Sequence, residues 1–256
     1  MRKFRYFALL IVCLLFAGTT AMLVVRIGEL RGEQAAFEEL AKKAEEIREH
    51  KDLSAGTAEK PEEAEEEKQI LPEYEFLYQE NPDLAGWIKI DDTRLDYPVM
   101  FTPEEAEFYL HRDFYGKDSY SGTPFIGPGY QPDNQVLMIF GHHMRNGTMF
   151  SDLMKYRDVS FWENHRTIQF DTLYEQREYE IFAAGYAPSM AEEERYVPFY
   201  TFVGGDTQTY QTYIQLLKGE ALYETGLWPE GAPLLLLITC SYQETDGRFF
   251  VAGYQK

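Results

Sequence analysis

Apolar and polar positions change rhythm several times along the chain. Residues 6–25, YFALLIVCLLFAGTTAMLVV, carry no charge over about the 20 residues a helix needs to cross a bilayer. Past Arg26 the composition turns to Glu, Lys and Ala. There Phe37, Leu40, Ala44 and Ile47 recur at steps of three and four, which predicts a short amphipathic helix near 34–50. Residues 58–69, AEKPEEAEEEKQ, have no apolar period and are expected to form a flexible, self-repelling linker. The run YEFLYQENPDLAGWIKI predicts a helix that stops around NPD and a strand around Gly86–Ile90, and LDYPVMF is a further extended piece. Strand-like runs follow at 135–142 (QVLMIFGH), 167–172 (TIQFDT), 177–187 (REYEIFAAGYA), 233–240 (PLLLLITC) and 248–254 (RFFVAGY). Their shortness and irregular spacing predict a mainly antiparallel sheet or barrel. Tyr210, Tyr213, Ile214 and Leu217 fall at i, i+3, i+4 and i+7, so 207–226 is predicted to be a helix with one buried face, and a shorter helix is expected at Phe150–Lys155. There is no internal repeat and no glycine-rich phosphate loop.

Composition narrows the picture. With 45% hydrophobic residues, 19 Tyr and 18 Phe, 256 residues supply one sizeable core, so one main folded domain is expected. A formal charge of -19 excludes a nucleic-acid partner, which needs a Lys/Arg surface. Arg2, Lys3 and Arg5 precede the apolar run and favour a cytoplasmic N-terminus with the remainder outside. A cleaved signal peptide is the competing reading; against it, the run exceeds a typical apolar region and TTA is a poor cleavage site. The expected division is an anchor at 1–26, an acidic helical or flexible linker at 27–70 and the folded domain at 71–256. A coil of that length reaches roughly 30 to 40 Å, enough to lift the domain off the membrane.

Topology then bears on the two cysteines. Cys13 falls in the span, and Cys240 is left as the only outer thiol, which is either a reactive thiol or a small buried hydrophobe. If PLLLLITC and RFFVAGY pair as a hairpin, the loop Ser241–Gly247 is centred on Glu244 and Cys240 faces Arg248. Opposed residues bring their Cβ atoms to about 4.5–5.5 Å. A guanidinium there could favour the thiolate or hold an oxyanion, or it could simply answer Glu244 or Asp246. A nucleophilic cysteine needs a proton carrier. Of His50, His111, His142, His143 and His165, the pair His142 and His143 stands at the end of a predicted strand, where side chains meet a cleft. His165 follows a stretch that reads as a loop, and His111 has no evident polar constellation. Neighbours on an extended chain point to opposite faces and no second ligand cluster is present, so neither a metal nor another cofactor is indicated.

A GH after a strand, a later TC closing a strand and an Arg 8 residues beyond that Cys resemble the sortases, membrane-anchored cysteine transpeptidases of Gram-positive bacteria. GWIKIDDTRLDYPV, HRDFYGKDSYSGTPF, GHHMRNGTMFSDL and the helix between two late strands resemble class B in particular. The resemblance covers most of 72–256. It implies a mainly β fold, an eight-stranded barrel with an N-terminal helix and a long helix between late strands, preceded by a transmembrane helix. It makes Cys240 the nucleophile, His142 the general acid/base and Arg248 the partner of the substrate or oxyanion, with Thr239 and Ile238 as substrate-contacting candidates. The sequence departs from the family's Thr-Leu-x-Thr-Cys at Leu236, and Ile238 occupies the position where class B often has Ser. The implied partners are secreted proteins with a C-terminal sorting motif, of Asn-Pro-x-Thr-x type, and an amine of peptidoglycan or a pilin-like subunit. The implied location is the cell membrane, single-pass, with the catalytic domain outside. A secreted cysteine peptidase using water and a noncatalytic surface scaffold are the alternatives.

Overall fold

The strand-like runs close on themselves. In the computed structural model, which describes residues 2–54, 69–187, 199–241 and 247–256, the strands are β1 (Leu84–Lys89), β2 (Asp96–Met100), β3 (Phe125–Ile126), β4 (Val136–Phe140), β5 (Thr167–Thr172), β6 (Glu178–Ala187), β7 (Leu234–Cys240) and β8 (Arg248–Gln255). They form a closed barrel in the order β1-β2-β3-β4-β7-β8-β6-β5, which leaves no edge to template aggregation. Most neighbours are antiparallel as expected; β2 with β3 and β4 with β7 are parallel. Leu234–Ile238 is buried on both faces, which is why that run shows no two-residue alternation.

Helices fill the connections. In α2 (Pro72–Glu80), proline occupies the first turn, where its missing N–H costs nothing, and the helix stops at Asn81. A 3-10 segment, Phe150–Arg157, takes the place of the expected short helix and packs on β6, β7 and β8. The stretch before His165 is not a loop: α3 (Val159–Asn164) is capped by the Asp158 side chain, which accepts from Ser160 N–H. Between β6 and β7, α4 (Thr207–Gly219) is capped in the same way by Asp206 and buries Tyr210, Tyr213, Ile214 and Leu217. It ends before 226 because the chain then joins β6: Ala221 bridges to Gly185, and Leu222 N–H donates to Ala184 O at 2.9 Å. A Cβ on Gly185 would sit 2.0 Å from Glu220 O, so only glycine admits this approach.

The largest departure from expectation is at the N-terminus. The predicted span and the predicted amphipathic helix are one continuous helix, α1 (Arg2–Ser54), with Gly28 and Gly32 inside it and nothing packed against either. Its apolar segment is exposed, has a mean hydropathy of 2.3 over its most apolar window and is long enough to cross a membrane. Beyond it, Phe37, Leu40 and Ala44 are buried, and Phe37 meets Tyr97 edge-on with ring centroids 5.5 Å apart. Glu33 accepts from the N–H groups of Tyr120 (3.1 Å) and Ser121 (3.3 Å). Lower down, Arg48 donates to Asp171 (2.6 Å) and Tyr74 (2.7 Å), and the Tyr74 hydroxyl donates to the same Asp171 oxygen at 2.6 Å. The helical part of the expected linker is thus packed onto the barrel through residue 48. Most of the acidic run 58–69 lies outside the described residues.

Candidate active site

Two strand pairings assemble one end of the barrel. Parallel β4 and β7 run in register from Val136 with Leu234 to Phe140 with Ile238, so the residues just beyond them, Gly141–His142 and Thr239–Cys240, emerge side by side. The junction is pinned by Gly141 N–H to Ile238 O (3.0 Å) and by the Thr239 hydroxyl to Gly141 O (2.8 Å). Antiparallel β7 and β8 place Cys240 directly opposite Arg248, the arrangement expected from the hairpin. Cys240 and Arg248 are both partly exposed. Ser241 N–H donates to Gly247 O (2.8 Å) and closes the base of the loop, whose tip, with Glu244 and Asp246, lies outside the described residues.

The two adjacent histidines face opposite ways. His142 Nε2 lies 2.8 Å from Leu110 O, and His143 Nδ1 lies 3.1 Å from Cys240 O. A carbonyl only accepts, so each of those nitrogens carries the hydrogen. In His142 this leaves Nδ1 as the nitrogen that can gain and lose a proton. Burial pushes the His142 imidazole below its ordinary pKa; the Leu110 carbonyl opposes this, and the charges of His111 and Arg248 add to it. His143 is also lowered by burial, against the pull of the Cys240 carbonyl.

Leu110 is itself held in place. It belongs to the 3-10 turn Phe108–His111, whose Tyr109 is buried and donates to Asp83 (2.8 Å) while accepting from Asn81 (2.7 Å). The NPD corner that ends α2 therefore anchors the turn that orients His142. Gly122, at φ 62°, passes so close that a Cβ would lie 2.4 Å from Leu110 O and 2.9 Å from Tyr109 O. Gly122→Ala is expected to cost roughly 1–3 kcal/mol of stability and, by displacing the Leu110 carbonyl, to lower kcat about tenfold or more. Chemical denaturation and steady-state kinetics measure both. Unchanged kcat in a destabilised variant would detach Leu110 from the chemistry.

The remaining expectations divide. Thr239 and Ile238 are buried at 1% and 0% exposure, and the Thr239 hydroxyl is committed to Gly141, so neither offers surface to a peptide. They set the strand junction instead. His165 stacks on Phe161, well away from the pair, and no cluster of three metal-ligating side chains occurs among the described residues. The residue that sequence reasoning missed is His111, whose ring lies against His142 with centroids 5.4 Å apart. Only the bulge of the 108–123 segment over the barrel end brings them together, and no local spacing announces it.

The barrel order and this strand-end arrangement resemble those of the sortase-type cysteine transpeptidases. No family model matches the chain. It is 28% identical over 194 residues to sortase B of Listeria monocytogenes, covering 72% of this chain and 74% of that protein. Against sortase B of Staphylococcus aureus it is 28% identical over 192 residues, covering 73% and 76%. A substrate complex of Staphylococcus aureus sortase B superposes with a TM-score of 0.72 at 26% identity, over 89% of this chain and 98% of that one. In sequence and in fold the chain is thus similar to the class B sortases.

Proposed function

We propose that Cys240 attacks the threonine carbonyl of an Asn-Pro-x-Thr-x type sorting motif near the C-terminus of a secreted protein. Arg248 faces the developing oxyanion, and His142 carries the proton of the Cys240 thiol to the departing amine as the peptide bond breaks. A thioester on Cys240 remains. An amino group of peptidoglycan or of a pilin-like subunit then attacks it, and its proton passes through His142 to the Cys240 sulfur, which leaves a new amide and a free thiol. Supporting this reading is the register that sets Cys240 opposite Arg248 on β8 and beside the His142 junction on β4. His143, hydrogen-bonded to the Cys240 carbonyl, steadies the nucleophile's main chain.

The proposed division of labour along the chain is an anchor through residue 26, a docked helical arm and linker through 70, and the catalytic barrel from 71. Helix α1 runs unbroken from the apolar segment into the docked face, which supports a span that is retained, with the N-terminus cytoplasmic and the barrel outside. Both substrates of the proposed reaction meet at that membrane surface.

The test uses the full chain in detergent micelles with fluorogenic sorting peptides, with and without an amine acceptor. Expected is an amine-dependent product that disappears in Cys240→Ala. Cleavage indifferent to the amine would make the protein a peptidase, and the absence of a thioester with every peptide tried would reject the proposed chemistry.

A further inference from the structure

The turn Phe108–His111 touches His142 twice. Leu110 holds the Nε2 edge, and the His111 ring lies over the His142 face, with planes only 24° from parallel. On its other side His111 opens onto a cavity of about 590 Å³ that it lines with Arg26, Glu29 and Glu33 of α1 and with Asp118 and Tyr120. We infer that His111 is a positioning residue for His142: together with the Leu110 carbonyl it fixes the plane of the imidazole. The inference rests on the reading of His142 as the general acid/base.

The charged groups around the pair are few. Arg248 on β8 acts on His142 from the barrel side. Around His111, Arg26 pairs with Glu29 at 3.0 Å, Asp118 pairs with Arg112 at 3.2 Å, and Glu33 accepts from the backbone N–H groups of Tyr120 and Ser121. Those carboxylates thus already have partners, and the His111 ring is stacked on the other imidazole. The charge of His111 adds to the burial that pushes the His142 imidazole down. Stacking also shields one face of His142 from water and resists rotation of its ring out of line with the thiol.

Two substitutions separate the two effects. His111→Phe keeps a flat ring against His142 and removes the charge; His111→Ala removes both. Both are made in the full chain in detergent micelles. His142 is followed across pH by NMR with ring-labelled histidine, beside kcat and KM on a sorting peptide. In both variants the His142 titration is expected to move to higher pH by about half a unit or more, the size of a unit charge at this separation in a watery setting. In His111→Ala, kcat should fall about tenfold with KM little changed, and His111→Phe should restore most of it. A His142 midpoint that stays put in both variants, or a kcat in His111→Ala equal to that of the parent, overturns the inference. An inactive His142→Ala variant beside an unmoved midpoint removes this inference alone. An active His142→Ala variant removes the reading of His142 on which it rests.

Discussion

Replacing His142 with alanine should lower kcat by roughly a hundredfold to ten-thousandfold, the usual share of general acid–base catalysis, while His143→Ala should cost about tenfold or less. The two side chains are sequence neighbours with similar burial-driven shifts, so only geometry distinguishes them. His142 keeps Nδ1 for proton transfer because Leu110 holds Nε2, and it lies within the field of Arg248. His143 points the other way, and its Nδ1 is hydrogen-bonded to the Cys240 carbonyl. Its loss should loosen the main chain at Cys240 without removing the proposed proton carrier. Single-turnover acylation with a sorting peptide measures both variants. If His143→Ala proves the more damaging, the acid/base role passes to His143.

Arg48→Ala should release the docked half of α1. Arg48 is a quarter exposed (24%), yet Asp171 and Glu73, which it faces, are 11% and 1% exposed, so its removal leaves buried carboxylates without their counter-charge. The expected loss is about 2–4 kcal/mol, toward the lower end for breaking a buried pair because of that exposure. Burial pushes Asp171 above the ordinary carboxylate range, and the Tyr74 hydroxyl and Arg48 pull against it. Without Arg48 the folded-state value rises further above the unfolded one. A raised acid contributes stability that is present below its unfolded pKa and lost as pH rises through the folded value. The deficit of the variant should therefore be largest near neutral pH and shrink on acidification. Hydrogen exchange provides the local readout: amides at 33–48 should exchange faster while those of β7 and β8 remain protected. Unchanged protection at 33–48 would mean that the apolar contacts of Phe37 and Leu40 suffice to hold the helix.

The parts of this molecule that were legible in its sequence are those governed by local pattern. TIQFDT became β5 without adjustment, and the hairpin logic that opposed Cys240 to Arg248 needed only the residue count of one loop. What was not legible depends on distant partners. Helix α4 stops where a bridge to Gly185 takes over, and nothing in LLKGEALYETG announces that contact. The change from apolar to charged residues at Arg26 looked like a break between two elements, but a helix continues through such a change as readily as through a uniform sequence, and Phe37, Leu40 and Ala44 found a surface that the sequence could not display. His111 was passed over for the same reason, since its partner is His142, brought close by the barrel end and not by spacing.

The parallel pairing of β4 with β7 also carries a consequence for how the protein comes to life. Its first pair, Val136 with Leu234, joins residues separated by most of the folded domain, with β5, β6 and α4 threaded between. Contacts of such high sequence separation form late, because the entropy of closing the loop must be met before they contribute. A newly made chain would accordingly hold Cys240 and His142 apart until the barrel shuts. The arrangement at the barrel end is then completed only with the fold, and a half-folded molecule lacks it.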